Sequence, residues 1–265
     1  MNAYKLEAGT GQHAGRRPRQ NDRATLFTAS NAPGYVLAIV ADGGATAAGA
    51  DQLLHTARQL FDGFRPGGTT GIDRLATLLR DIAQETHDVL LMDPLARDHQ
   101  TTMALLLLTP ARQAVWATVG DSRVYRFADG AAAGRSDDAG YVDHLVTVDG
   151  VAPDSARRHR SSRLLNNVLG NRLKAPFVAV DSHENLQAGD GFLLCTDGLW
   201  SWFADSELAA VVARRTPREA AGLLIDKAQE RAGEKAENCT MAIIRLVAPA
   251  AKATSFTVQA LDQAV

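Results

Sequence analysis

The chain has 265 residues, 46% of them hydrophobic and 22% charged, with a formal net charge of −2, which is the composition of an ordinary globular protein of one large domain or two small ones. That balance excludes a broad polyanion-binding face, and the cationic run GRRPRQ (15–20) has the scale of a single phosphate rather than a duplex, so no nucleic-acid partner is expected. The longest apolar run, MALLLL (103–108), falls far short of the roughly 20 residues that cross a bilayer, and MNAYKLEAGTG lacks the charged start and apolar core of a signal peptide. No membrane partner and a cytoplasmic location are therefore expected. Cys195 and Cys239, the only cysteines, lie in apolar runs and read as buried free thiols, neither a disulfide nor a zinc site.

After a polar N-terminal stretch, YVLAIVADGG (35–44) reads as a buried strand. Two amphipathic helices follow, one carrying Leu53, Leu54, Ala57, Leu60, Phe61 and Phe64 at helical spacing, the other running from about Ile72 to Leu91. The middle is β-rich: 101–110, 113–127 and 141–150 are strand candidates separated by turn signals. Residues 151–176 read as irregular, with a short helical pattern around 164–169. Strands return at 177–182 and 191–196, then helices near 205–214 and 217–231. The second helix opens on TPRE, with Thr216 as N-cap, Pro217 at the first position and Glu219 closing a capping box. NCTMAIIRL (238–246) is a last strand, and the Ala-rich tail 248–265 is expected to be loose. Strand runs and helix pairs without βαβ alternation indicate an α+β fold, a single domain over 1–247.

Asp-Gly occurs six times, and most of these pairs read as turns. Two differ. VLAIVADGG and FLLCTDGLW are apolar on both faces before the acid, so Asp42 and Asp197 end strands inside the protein layer. A carboxylate there needs a cation or several donors to offset its desolvation. Asp121 in GDSRVY, Glu237 before the last strand and Asp22 in GRRPRQND occupy similar places. Four or five carboxylates at strand ends point to a divalent-metal cluster of oxygen ligands, which suits Mg2+ or Mn2+ better than zinc.

In that order and at those separations, GRRPRQND, VADGG, QTTMALLL, GDSRVY, LCTDGLW and ENCTMAIIR resemble the metal-dependent serine/threonine protein phosphatases, the protein phosphatase 2C-like (PPM) family in its compact bacterial form, over residues 9 to 246. The resemblance implies a four-layer αββα sandwich of two antiparallel sheets flanked by helices, with a binuclear Mn2+ or Mg2+ centre at one end. It implies that Asp42 bridges the two ions, that Gly43 offers its carbonyl, and that Asp197 and Glu237 hold one ion. Asp121 matches an acid that binds a third, weaker metal in some members. Asp22 matches an acid that organises metal-bound water, and Arg17 the arginine that grips the substrate phosphate. The implied activity is hydrolysis of phosphoserine and phosphothreonine on proteins by metal-activated water. The implied partners are phosphorylated targets of a Ser/Thr kinase, and nothing in the sequence requires more than a monomer.

Three positions depart from the family pattern. Asn21 stands where Glu or Gln is usual, Glu237 where Asp precedes the asparagine that is here Asn238, and Gly44 where some members carry a histidine. Asn21 and Asn238 are therefore expected to support the ligands rather than to ligate. Asn21 and Glu237 also motivate an alternative, a catalytically weak or inactive member that binds phosphoproteins. His55, His87, His99 and His144 do not form a ligand set and read as structural or surface groups, and Trp200 and Trp202 as packing. The basic segment RRHRSSR (157–163) falls where the family has a variable flap beside the site.

Overall fold

A computed structural model describes residues 4–67, 70–92, 94, 97–136, 150 and 167–249. The strands expected at 141–150, the start of the short helix near 164–169, the basic segment 157–163 and the tail from 250 lie outside these residues, apart from Gly150.

Among the described residues, ten strands form two five-stranded antiparallel sheets. One runs β2 (Arg23–Ala29), β3 (Ala32–Ala41), β4 (Met103–Leu108), β5 (Ala114–Val119) and β8 (Ala179–His183). The other runs β1 (Lys5–His13), β10 (Cys239–Val247), β9 (Gly191–Cys195), β6 (Arg123–Ala128) and β7 (Ala131–Arg135). Helices α1 (Ala48–Gly63) and α2 (Ile72–Met92) cover the first sheet, and α4 (Asp205–Arg214) and α5 (Pro217–Ala232) cover the second. The expected αββα sandwich is the observed fold.

Strand alternation explains why the central segments read as apolar on both faces. In β3, Leu37, Ile39 and Ala41 face α1 and α2, while Ala38 and Val40 face the other sheet. The core between the sheets is closed by Leu106, Trp116, Phe192, Leu194 and Ile244. Each such large side chain contributes about 1.5–3 kcal/mol relative to exposure, so the central strands are the firmest mounts in the molecule. The capping box of α5 forms as expected, Glu219 N donating to Thr216 Oγ1 at 3.4 Å and Thr216 N to Glu219 Oε2 at 3.0 Å.

The structure corrects the sequence reading in three places. The N-terminal stretch is not merely polar: KLEAGTGQH forms β1, an edge strand on which α5 lies so closely that a Cβ at Gly11 would approach Ile225 Cδ1 to 2.9 Å. AAAGR forms β7, an exposed edge strand with no apolar alternation to announce it. Leu169, assigned to a short helix, instead bridges Thr101 as an isolated β-pair.

Candidate metal centre

Three chain reversals meet at one end of the sandwich. After β3, Asp42 is fixed by its main chain: its N–H donates to Thr102 Oγ1 at 2.9 Å, and its carbonyl accepts from Thr101 Oγ1 at 2.9 Å and Thr102 N at 3.0 Å. With the backbone satisfied, only the side chain is left to act. Asp42 Oδ1 accepts from Gly44 N at 2.8 Å. Gly43 is required by crowding, because a Cβ there would come within 2.5 Å of both Asn21 O and Thr46 O. Its carbonyl accepts a hydrogen bond from Thr46 N at 3.3 Å.

After β9, Asp197 opens a single helical turn, α3 (Asp197–Trp200). Gly198 is needed because a Cβ there would sit 2.0 Å from Asn238 O. This contact places the Asp197 turn against the start of β10.

The third reversal is the arginine-bearing loop between β1 and β2. Asn238 holds it from the outside. Its Oδ1 accepts from Asn21 N at 2.8 Å, and its Nδ2 donates to Ala14 O and Arg19 O, both at 2.9 Å. Asn21 Nδ2 in turn donates to Gly44 O at 2.9 Å, so both asparagines brace the loops. Gly15, at φ +65°, lets the loop pass against Glu237, where a Cβ would meet Glu237 O at 2.3 Å.

Arg17, Asn21, Asp42, Asp197, Glu237 and Asn238 line one cleft of about 450 Å³. Glu237 Oε1 is ion-paired with Arg17 Nη2, so the expected ligand and the expected phosphate-binding group touch one another. Asp22 lies behind the cleft, only 1% exposed. Its Oδ2 accepts from Thr196 Oγ1 at 2.9 Å, while Oδ1 is buried without a donor. Asp121 does not line the cleft; it sits on the turn before β6, close enough for its charge to act on Asp197.

The electrostatics of this end are unfavourable for a bare protein. Burial, then the charges of Asp121, Asp42 and Glu237, push the Asp197 carboxyl up to about 7. Burial and the Asp42 charge hold Asp22 well above the ordinary carboxylate range, against hydrogen bonds from Thr196 and Thr240. Burial likewise raises Asp42. Such mutual repulsion is what divalent cations relieve. Among the described residues no three His, Cys, Asp or Glu side chains close on one point. The acids are spread around a cleft, which does not suit a tetrahedral zinc cage but does suit hard cations that keep water ligands. The donor set and the orphaned Asp22 Oδ1 both fit Mn2+ or Mg2+.

The sequence reading missed the hydroxyls that hold these acids, Thr101, Thr102, Thr196 and Thr240. Only Thr196 adjoins an acid in the sequence, and the acid it holds, Asp22, lies 174 residues away, so no local pattern announces them. Among the described residues no histidine lines the cleft, and buried His87 accepts from Gly170 N at Nδ1, 3.1 Å away. Cys195 and Cys239 are buried and free.

No protein-family model matches the chain. Among curated relatives it is similar to serine/threonine phosphatase stp of Listeria monocytogenes, 27% identical over 237 residues, covering 86% of this chain and 90% of the relative. It is also 27% identical over 238 residues to serine/threonine protein phosphatase PstP of Mycobacterium tuberculosis, covering 89% of this chain but 45% of that longer relative. The serine/threonine phosphatase of S. agalactiae superposes with a TM-score of 0.71 at 20% identity, over 91% of this chain and 99% of the other. The catalytic domain of PstP in complex with two manganese ions gives 0.64 at 23%, over 91% and 98%. Structural likeness at these identities speaks for the fold, which is that of the bacterial serine/threonine phosphatases just described, and the curated relatives that align over most of this chain carry the same name, serine/threonine phosphatase.

Proposed function

We propose that this protein hydrolyses phosphoserine and phosphothreonine monoesters on proteins, using two Mn2+ or Mg2+ ions held by Asp42, Asp197 and Glu237, with Gly43 as a carbonyl ligand. The observation that carries the reading is the set of mutually repelling carboxylates at one end of the sandwich: Asp42 and Asp197 line the cleft with Arg17, and Asp22 is buried behind them. When bound, divalent cations polarise phosphoryl oxygens and lower the pKa of water.

The chain's own residues supply positioning, which carries most of phosphoryl transfer. Arg17, on the rim, offers a planar fork that can hold two phosphate oxygens at once, a contact that lysine does not reproduce. Thr196 fixes Asp22 through Oδ2 and leaves Oδ1 as the atom able to hold a proton beside Asp42. Asn238 and Asn21 keep the Arg17 loop over the Asp42 turn. The substrates are read as cytoplasmic phosphoproteins modified by a Ser/Thr kinase, acted on by a monomer. No helix among the described residues is long and apolar enough to cross a membrane.

A second reading, a phosphoprotein-binding module with little turnover, rests on the Arg17–Glu237 ion pair, which engages both groups with each other. One experiment separates the two: phosphate release from a phosphothreonine peptide with Mn2+, with and without chelator, for wild type and Asp197→Asn. Metal-dependent release that Asp197→Asn abolishes supports the enzyme. Peptide binding by folded wild type without release supports the second reading and overturns the first.

A further inference from the structure

Asp121 stands outside the cleft, yet its turn is tied to both acidic reversals. On one side Ser122 Oγ lies 2.7 Å from Thr102 Oγ1, the same hydroxyl that accepts the Asp42 amide. On the other side Trp200 Nε1 donates to the Asp121 carbonyl at 2.9 Å. Trp200 is the last residue of the helical turn that Asp197 opens, so the indole links the main chain at 121 to the turn carrying Asp197. Arg123 fixes the indole's tilt, its guanidinium stacked 3.4 Å from the ring centroid while Nη1 donates to Tyr125 Oη at 3.1 Å. The Trp200–Asp121 hydrogen bond therefore fixes the 121 turn relative to the turn that carries Asp197, and its loss frees the two turns to shift against each other.

We propose that Trp200 is a positioning residue of the metal centre: its Nε1–H, braced by the Arg123 stack, sets Asp121 against Asp197 and thereby tunes cation affinity. Packing alone would need the ring; the hydrogen bond needs the nitrogen. The two roles can be separated, because Trp200→Phe keeps an aromatic ring over which Arg123 can stack and deletes the donor. The inference rests on the Mn2+ or Mg2+ reading of the site.

The test is calorimetric titration of the full chain with Mn2+, on wild type, Trp200→Phe, Asp121→Asn, the double variant and Trp202→Phe, whose indole packs in the same apolar cluster. Losing a supporting hydrogen bond costs about tenfold in metal affinity, and that is the loss expected for Trp200→Phe. Asp121→Asn should lose at least as much, the double variant no more than Asp121→Asn, and Trp202→Phe nothing. Should Trp200→Phe fail to fold, Arg123→Gln leaves the indole in place, removes its brace, and is expected to weaken Mn2+ binding in the same direction. Wild-type affinity in Trp200→Phe, losses that add to those of Asp121→Asn, or an equal loss in Trp202→Phe would each overturn the proposal. A wild type that binds no Mn2+ overturns the metal reading itself, an outcome distinct from the other three.

Discussion

Strand β9 carries an Asp-Gly pair at each end, and the two acids are treated in opposite ways. Asp190, 9% exposed, accepts from Gln187 N at Oδ2, 2.8 Å away, while its carbonyl accepts from Leu246 N at 2.9 Å; the acid closes a turn, and protein donors satisfy it. Asp197, seven residues on, receives a hydrogen bond from the Gly198 amide and otherwise faces the charges of Asp121, Asp42 and Glu237. Only one end holds an electrostatic debt that a cation can settle. What separates a turn from a ligand is therefore the company each acid keeps, which the dipeptide does not encode.

The comparison is broken most severely by Asp197→Asn. Several kcal/mol of charge stabilisation go with a bound ion, so Mn2+-dependent turnover of a phosphothreonine peptide should fall about a thousandfold. The metal-free protein should become more stable, because one repelling charge is gone; a rise in Tm of about 2–4 °C corresponds to 1 kcal/mol in a chain of this size. Loss of activity with loss of stability would assign Asp197 a structural role instead. Next in size is Arg17→Ala, which removes a charge-assisted contact and should raise KM for the peptide about 10- to 100-fold, with Mn2+ affinity much less affected. Asp190→Ala, at the other end of the strand, should leave kcat unchanged and lower stability by about 1–2 kcal/mol, read from the urea midpoint, since the Gln187 amide loses its partner.

The smallest effect comes from His87, away from both ends. Burial lowers its pKa, and its Nδ1 accepts from Gly170 N, so the folded state favours the neutral ring. The unfolded chain then binds the proton more readily. This contribution to stability is complete above the ordinary histidine value of about 6.5 and is lost as pH falls below it. The drop in urea midpoint between pH 7.5 and 5.5 should be larger for wild type than for His87→Asn.

Much of this arrangement was legible because burial leaves a mark on sequence. VLAIVADGG and FLLCTDGLW are apolar on both faces, and only central strands of a covered sandwich demand that, so Asp42 and Asp197 could be placed at strand ends before any coordinates. The edge strands were harder. β1 has only Leu6 and Ala8 as apolar side chains beside glycines that make room for α5, and β7 is exposed along its length, so neither carries an alternation long enough to read. The acids themselves were readable, their partners less so. That Glu237 meets Arg17, and that Trp200 reaches Asp121 across two loops, follows from packing between segments far apart in the chain, which no local motif records.

The most direct test of the central claim, that the acidic end of the sandwich is a cation site, is the number of Mn2+ ions bound per chain, measured by calorimetry or by loss of the free-ion electron paramagnetic resonance signal. Wild type should bind about two, as a binuclear site requires, and Asp197→Asn fewer, with folding of both verified by circular dichroism. Folded wild type that binds no Mn2+, or that binds it identically after Asp197→Asn, would contradict the account.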